Sequence, residues 1–416
     1  MKGLGFQVNG WMEGDLPREN ALTNTLLTIS VDGVPLTHIY RKSMQSLTDS
    51  VCLPLYPLAE WLSANWWRLL YDCNNCRAPE NFAVSHNLMY AGEGYFLPNC
   101  SIVSEMDTVR FAWQPRSINQ GDLNYIATGA SNIQLPQFQS EISRIIAMTI
   151  ERLNAFQLHD TPLHRNFEAI RNSMQNREER EFCIACAQLG FDPYCLDDDT
   201  AIKVMNTADG LAQITAPGEF LNAVNLEEAE QATRWIAENQ KGIAPAAIPN
   251  LSDIHERMPA SKAVTPWEQG YEEARWIRAN WVKTQEDVMD FRKRVEDSTQ
   301  LSDIPSAFCT AAVNSNALFF ASMPPSGFLT GRLLSHYLHT ETSSVNLVTH
   351  LTTPPQKRSR AFSAELQAPS EQIRLALHGR KQIARDEVLE LAEAFKTNES
   401  TILYQLENHR LATIVA

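Results

Sequence analysis

The sequence predicts a helix-rich α+β protein: an N-terminal α/β domain, a helical middle region, and a C-terminal domain ending in a helix-turn-helix-like pair. Three observations predict it. Strand-like runs mark the part of the chain up to about residue 130 as α/β, helical spacing of apolar residues dominates from Gln137 to about Asn239, and the proline- and alanine-rich stretch 241–249 reads as a linker. A chain of 416 residues exceeds one ordinary core, and the expected domains are 1–135, 136–250 and 251–416.

The first domain opens without an apolar run long enough for a signal peptide, and no later run approaches a membrane span, so a cytoplasmic protein with no membrane partner is expected. Leu26 to Val31, the pair Asp32-Gly33, and Val34 to Tyr40 read as a hairpin, because Asp-Gly supplies the positive φ angles that a tight turn requires. Residues 57–71 read as one helix with Leu58, Trp61, Leu62 and Trp66 on a core-facing stripe. Strand signals follow at 101–103 and 108–113. Gly92-Glu93-Gly94 is an isolated glycine pair and reads as a turn.

In the middle region, helices are expected over 139–155, 165–175, 178–189 and 226–239. Gly190 and Pro193 end one of them, and the aspartates at 197–199 suit the positive end of the next. Beyond the linker, a helix over 266–281 begins with Pro266 in its first turn. The chain closes on two helices, 386–396 and 401–410, joined by a short polar turn. Val388, Leu391, Ala392 and Phe395 form one apolar face and Ile402, Leu403 and Leu406 its partner. The second helix offers Tyr404, Gln405, Asn408, His409 and Arg410 to a nucleic acid, but the first is acidic, so a structural pair is favoured over DNA contact.

Charge and cysteine usage narrow the classes. A formal charge of −14 argues against general coating of nucleic acid, which needs a positive field. From residue 331 onward ten Lys/Arg face nine Asp/Glu, so the acidity belongs to the first three quarters. The eight cysteines are expected as reduced thiols. Cys73/Cys76 and Cys183/Cys186 have Cys-x-x-Cys spacing but lie too far apart for a zinc ribbon. Cys183 and Cys186 sit in a helical stretch as small buried hydrophobes, and Cys73/Cys76, in a polar loop, is the better metal candidate of the two. Serine nucleophile elbows, phosphate-binding glycine loops and dinucleotide fingerprints are absent from the sequence.

Three segments in order carry a resemblance: Gly270-Tyr271 with Ala274 and Arg278; Phe328 to His339; and Arg358 to Pro369, which reads Arg-Ser-Arg-Ala-Phe-Ser-Ala-Glu-Leu-Gln-Ala-Pro. Together they resemble the ImmA/IrrE family of bacterial metallopeptidases over about residues 266–411, and Leu58 to Tyr71 with Phe182 to Tyr194 look like the extension of a long-chain branch of that family. The resemblance implies a zincin-like C-terminal domain. The family shows His-Glu-x-x-His on a helix and then a glutamate ligand. Arg332, Leu333, His336 and Arg358 stand at those places here.

The chemistry of that departure is plain. Two histidines on one helix face and a carboxylate hold zinc, and the intervening glutamate takes a proton from metal-bound water. Leucine does none of this, and arginine stays protonated, so Arg332 and Arg358 would put two cations where a dication belongs. A pseudo-site with no cofactor is therefore expected. An alternative zinc set of His336, His339 and Glu341 is sterically open, but no general base stands beside it. A third reading makes Arg332, Arg358 and Arg360 an anion pocket for a nucleotide or nucleic-acid phosphate, with a salt-bridge cluster that includes Glu365 as its plainer competitor.

What the resemblance implies is a role in phage defence or stress response, since family enzymes cut helix-turn-helix repressors. The leading expectation is a catalytically inactive peptidase-like sensor, scaffold or regulator. Its expected partner is a protein, either a helix-turn-helix regulator or another defence-system subunit, with nucleic acid less favoured.

Overall fold

The computed structural model describes residues 3–12, 15–74, 76–116, 121–211, 216–240, 254, 256–297, 299–301, 311–314, 319–321, 326–339 and 345–415. The expected linker at 241–249 and the candidate ligand Glu341 lie outside them. The architecture is helix-rich α+β, with three sheets in the first unit and a mainly helical second one. Two compact units are present, Met1–Met205 and Asn206–Ala416. Among the described residues no helix is long and apolar enough to cross a membrane.

In the first unit Asn24–Val31 is the central strand of an antiparallel sheet. It pairs with Leu4–Trp11 on one edge and with Val34–Pro35 and Val51–Pro54 on the other. The Asp32-Gly33 turn forms as expected, with φ of 49° and 83° and Val31 paired to Val34. The expected second strand does not run on to Tyr40, however. Past the Ser30–Pro35 pair the Leu36 N–H still reaches the Ile29 carbonyl at 2.7 Å, but the Ile29 N–H goes to the Thr37 hydroxyl at 3.0 Å instead of to a backbone carbonyl, and Ile39–Arg41 joins a separate small sheet with Ser46–Thr48 and Leu123–Tyr125. A third sheet contains Cys100–Ser104, Thr108–Trp113 and Gly129–Gln134.

The tryptophan-rich helix is two helices, Leu55–Ala64 and Trp66–Tyr71, broken at Asn65, whose φ and ψ are −105° and 13°. Trp66 is buried as expected, while Trp61 is only partly so and donates its indole N–H to the Val84 carbonyl at 3.0 Å. Leu135–Ala155, Pro162–Gln175 and Arg177–Gln188 pack with these sheets. Ile142, Ile146, Leu163, Ile170 and Cys183 share one core with Leu27, Ile29 and Phe111. The next helix, Asp198–Asp209, is capped as the aspartate run implied: Asp197 accepts from the Thr200 backbone N–H at 2.8 Å and its hydroxyl at 2.9 Å.

The second unit is built on three helices that meet closely: Pro266–Asn280, Gly327–Tyr337 and, between them, Pro354–Gln367. Each outer helix touches the central one through a glycine. A Cβ at Gly270 would lie 2.3 Å from the Arg358 carbonyl oxygen, and one at Gly331 would lie 2.5 Å from Ser363 Oγ. The central helix answers with Ser359, Ala361 and Ser363, all buried and small. A four-stranded mixed sheet in the order Thr299–Leu301, Phe319–Ala321, Ala311–Asn314 and Val345–Val348 accompanies them.

Behind this layer, Ser370–Ala376, Arg385–Ala394 and Glu399–Asn408 enclose a core of their own that includes Ile373, Val388, Ile402 and Leu406. A parallel pair of strands, Gln382–Ala384 and Thr413–Val415, closes that module. Gly270→Val should overpack the first crossing and lower unit stability by about 1–3 kcal/mol. The urea midpoint of the full chain measures it; an unchanged midpoint would mean that the helices do not cross there.

Candidate functional site: a buried arginine centre

The Gly327–Tyr337 helix starts at Ser326, whose hydroxyl caps the Leu329 N–H at 3.3 Å. From that start, helical period carries Arg332 and His336, four residues apart, to the same buried face. Arg332 is 9% exposed. Its Nη2 donates to the Thr349 carbonyl at 2.8 Å and to Gln356 Oε1, and its Nε donates to Ser359 Oγ at 3.3 Å. These partners come from the loop after Val345–Val348 and from the first turns of Pro354–Gln367.

The counter-charge comes from Glu219, on the short helix Pro217–Ala223, and it acts through an amide. Gln356 Nε2 donates to Glu219 Oε1 and, at 2.7 Å, to the Leu347 carbonyl. Its Oε1 accepts from Arg332 and, at 3.1 Å, from the Thr349 N–H. Thr349 Oγ1 also donates to Glu219 at 3.2 Å. Guanidinium, amide and carboxylate thus form one buried chain, with Gln356 using both donors and both acceptor positions.

Burial pushes the Arg332 pKa down to about 9; Arg360 adds to the shift and Glu219 opposes it. At neutral pH the guanidinium therefore keeps its proton. Burial also raises the Glu219 carboxyl, against hydrogen bonds from Gln356 and Thr349 that favour the anion.

His336 is fully enclosed, and burial, together with the Arg332 and Arg358 charges, holds its pKa well below the ordinary value. At neutral pH it is a neutral imidazole. Leu333 is completely buried in the helix-layer core with Ile277 and Phe362. Arg358 is largely buried, and its Nε has no hydrogen-bond partner among the described residues. Glu273 and Glu219 supply the fields that partly offset its desolvation. Arg360 reaches back to the His350 carbonyl at 2.8 Å and the Thr349 carbonyl at 3.3 Å.

The residues at the matching positions do not fit a zinc ion. One neutral imidazole faces two guanidinium groups and a leucine, and such a set lacks the anionic and paired imidazole donors that zinc takes. In the alternative set, His339 Nε2 lies 2.9 Å from Glu273 Oε1, which also accepts from Gln269 Nε2 at 2.8 Å. Among the described residues no group of three or more His, Cys, Asp and Glu side chains is placed to hold a metal. Cys73 is buried and Cys76 exposed, and burial raises the thiols of Cys183 and Cys186 to about 11 and about 12.

The carboxylate whose field acts on Arg332, Arg358 and Arg360 is Glu219 and not Glu365. Glu365 is buried elsewhere, where it accepts from Arg275 Nε at 2.9 Å, Ser370 Oγ at 3.1 Å and Gln405 Nε2 at 2.8 Å. Two of the five second-helix groups offered to a nucleic acid are therefore turned inward. Gln405 binds Glu365, and the His409 ring sits 4.5 Å from Tyr271 and 3.6 Å from Glu365. Sequence reading missed Glu219, Gln356 and Thr349, whose link to Arg332 is made only by the fold. Glu273 carried a usable signal, a carboxylate at helical spacing from Gly270 and Ile277 on an otherwise buried face.

The chain matches no family model, no curated protein and no solved structure.

Two outcomes follow from the charges. Glu219→Gln leaves the Arg332 cation buried without its counter-charge and should cost on the order of 3 kcal/mol, while adding Arg332→Met should recover most of it. Urea denaturation of the single and double variants reads the coupling, and additive losses would dissociate the two residues. In the second case, the unfolded chain binds a proton at His336 that the folded chain refuses. Stability at this residue is therefore full above about pH 6.5 and is lost as pH falls, by up to about 1.4 kcal/mol per pH unit. His336→Leu should flatten that difference between pH 7 and pH 5, and equal slopes for both proteins would contradict the buried neutral imidazole.

Proposed function

We propose that this chain is a catalytically inactive relative of the ImmA/IrrE metallopeptidases that acts by binding a protein partner, as a sensor, scaffold or regulator in phage defence or stress response. The observation that carries the reading is the environment of Arg332. A guanidinium stands at the first metal-ligand position of the resembled motif, and Thr349, Gln356 and Ser359 bind it with Glu219 as counter-charge. Its bonds are made inside the protein, so the cation is a structural element of the helix layer. Leu333, at the place of the general base, is core, and no proton acceptor stands there.

The three close-packed helices with their mixed sheet support a zincin-like reading of the second unit, and the Arg385–Ala394 and Glu399–Asn408 pair supports a helix-turn-helix-like one. The inward use of Gln405 and His409 favours that pair as a structural element over a DNA reader. A helix-turn-helix regulator or another defence-system subunit is the partner this reading names. The anion-pocket alternative is supported by Arg358 alone, since Arg332 and Arg360 are engaged by backbone carbonyls.

Metal analysis by inductively coupled plasma mass spectrometry tests the reading on protein that has never met a chelator. Zinc should be well below one equivalent and unchanged by His336→Ala. Stoichiometric zinc that disappears in His336→Ala together with cleavage of a helix-turn-helix repressor would establish the peptidase alternative instead.

A further inference from the structure

The C-terminal module carries a cavity of about 970 Å³ on the far side of the Glu399–Asn408 helix. Leu403, Leu406 and Ile414 give it an apolar lining, and Arg380, Lys381 and Arg410 line it too, with Glu407 as the one lining carboxylate among the described residues. An excess of cations here is notable on a chain of formal charge −14. Arg380 is held by Glu387, and Lys381 Nζ donates to the Leu411 carbonyl at 3.4 Å. Arg410 is exposed and makes no side-chain hydrogen bond or ion pair among the described residues.

Beside this lining runs an incomplete sheet. Thr413–Val415 pairs in parallel with Gln382–Ala384, and Thr413 donates its N–H to the Lys381 carbonyl at 2.9 Å. In a parallel ladder alternate residues turn N–H and C=O to the same neighbour, so Thr413 and Val415 face the inner strand and Ile414 faces outward. Ile414 and Val415 are 45% and 40% exposed. An open strand edge next to an apolar lining is a template for an added strand, with the edge supplying hydrogen bonds and the lining accepting alternate side chains.

We propose that this cavity binds an extended peptide segment of a partner protein as a third strand on Thr413–Val415, with apolar side chains over Leu403 and Ile414 and acidic side chains toward Arg410 and Lys381. The occupant is an acidic peptide because the free cation of the lining is Arg410 and its apolar part is aliphatic. The inference deepens the reading of the chain as a binding protein by giving a partner's chemistry, and it rests on that reading alone. Zinc in the second unit would remove the pseudo-site reading and leave this cavity untouched.

The full chain, selected against a surface-displayed library of random short peptides, tests the proposal. Enriched peptides should alternate Asp or Glu with Val, Ile or Leu and should lack proline. Binding of one synthetic winner should weaken roughly tenfold on Arg410→Glu, and a Lys-for-Glu version of the peptide should recover it. Ile414→Pro removes only the outward N–H and should abolish binding while leaving the urea midpoint in place. Failure to enrich any motif, or enrichment indifferent to both variants, would overturn the site. Equal binding of peptides N-methylated at every position would show charge attraction without strand addition and would overturn it too. Concentration-dependent dimerisation lost in the same variants would assign the edge to a second copy of the chain, against the peptide.

Discussion

A guanidinium withdrawn from water demands a counter-charge and a full set of acceptors, and the second unit is arranged around meeting that demand for Arg332. Thr349 presents its carbonyl from the loop after Val345–Val348, Ser359 and Gln356 come from the central helix, and Glu219 arrives from more than a hundred residues earlier. Four separate segments are thereby brought to one point. The sheet, the central helix and the Pro217–Ala223 helix are linked there by polar bonds as well as by apolar packing.

The backbone makes that arrangement possible. A central helix rich in serine and alanine lets two neighbours approach through Gly270 and Gly331, which leaves no room between the helices for a larger group. His336 and Arg358 are desolvated by the same close approach, and the two arginines and the neutral imidazole share one low-dielectric compartment. Glu365 anchors the opposite end of the central helix. It gathers Arg275, Ser370 and Gln405 and so fixes the C-terminal module to the helix layer.

Local features of the fold were legible in the sequence where short-range chemistry decides them. The Asp32-Gly33 turn, the Thr108–Trp113 strand, the Asp197 cap and the Pro266 start are each set by residues within a few positions. Elements decided by distant partners were not. Leu4–Trp11 is a strand because Asn24–Val31 offers it an edge, and the long hairpin arm ends where the Thr37 hydroxyl takes the Ile29 N–H in place of a backbone carbonyl. In the site, Arg332 and His336 were visible through their spacing, but Glu365 was named for the role that Glu219 fills. Both are single glutamates among apolar neighbours, and only the tertiary path distinguishes them.

Gln356 has a consequence for how such a sequence can vary. An amide that donates to a carboxylate and accepts from a guanidinium is directional, so it joins Glu219 and Arg332 in one sense only. A lineage that exchanges any one of the three passes through an intermediate with a stranded charge or a clash of like groups. Among related chains the three positions should therefore change together or stay.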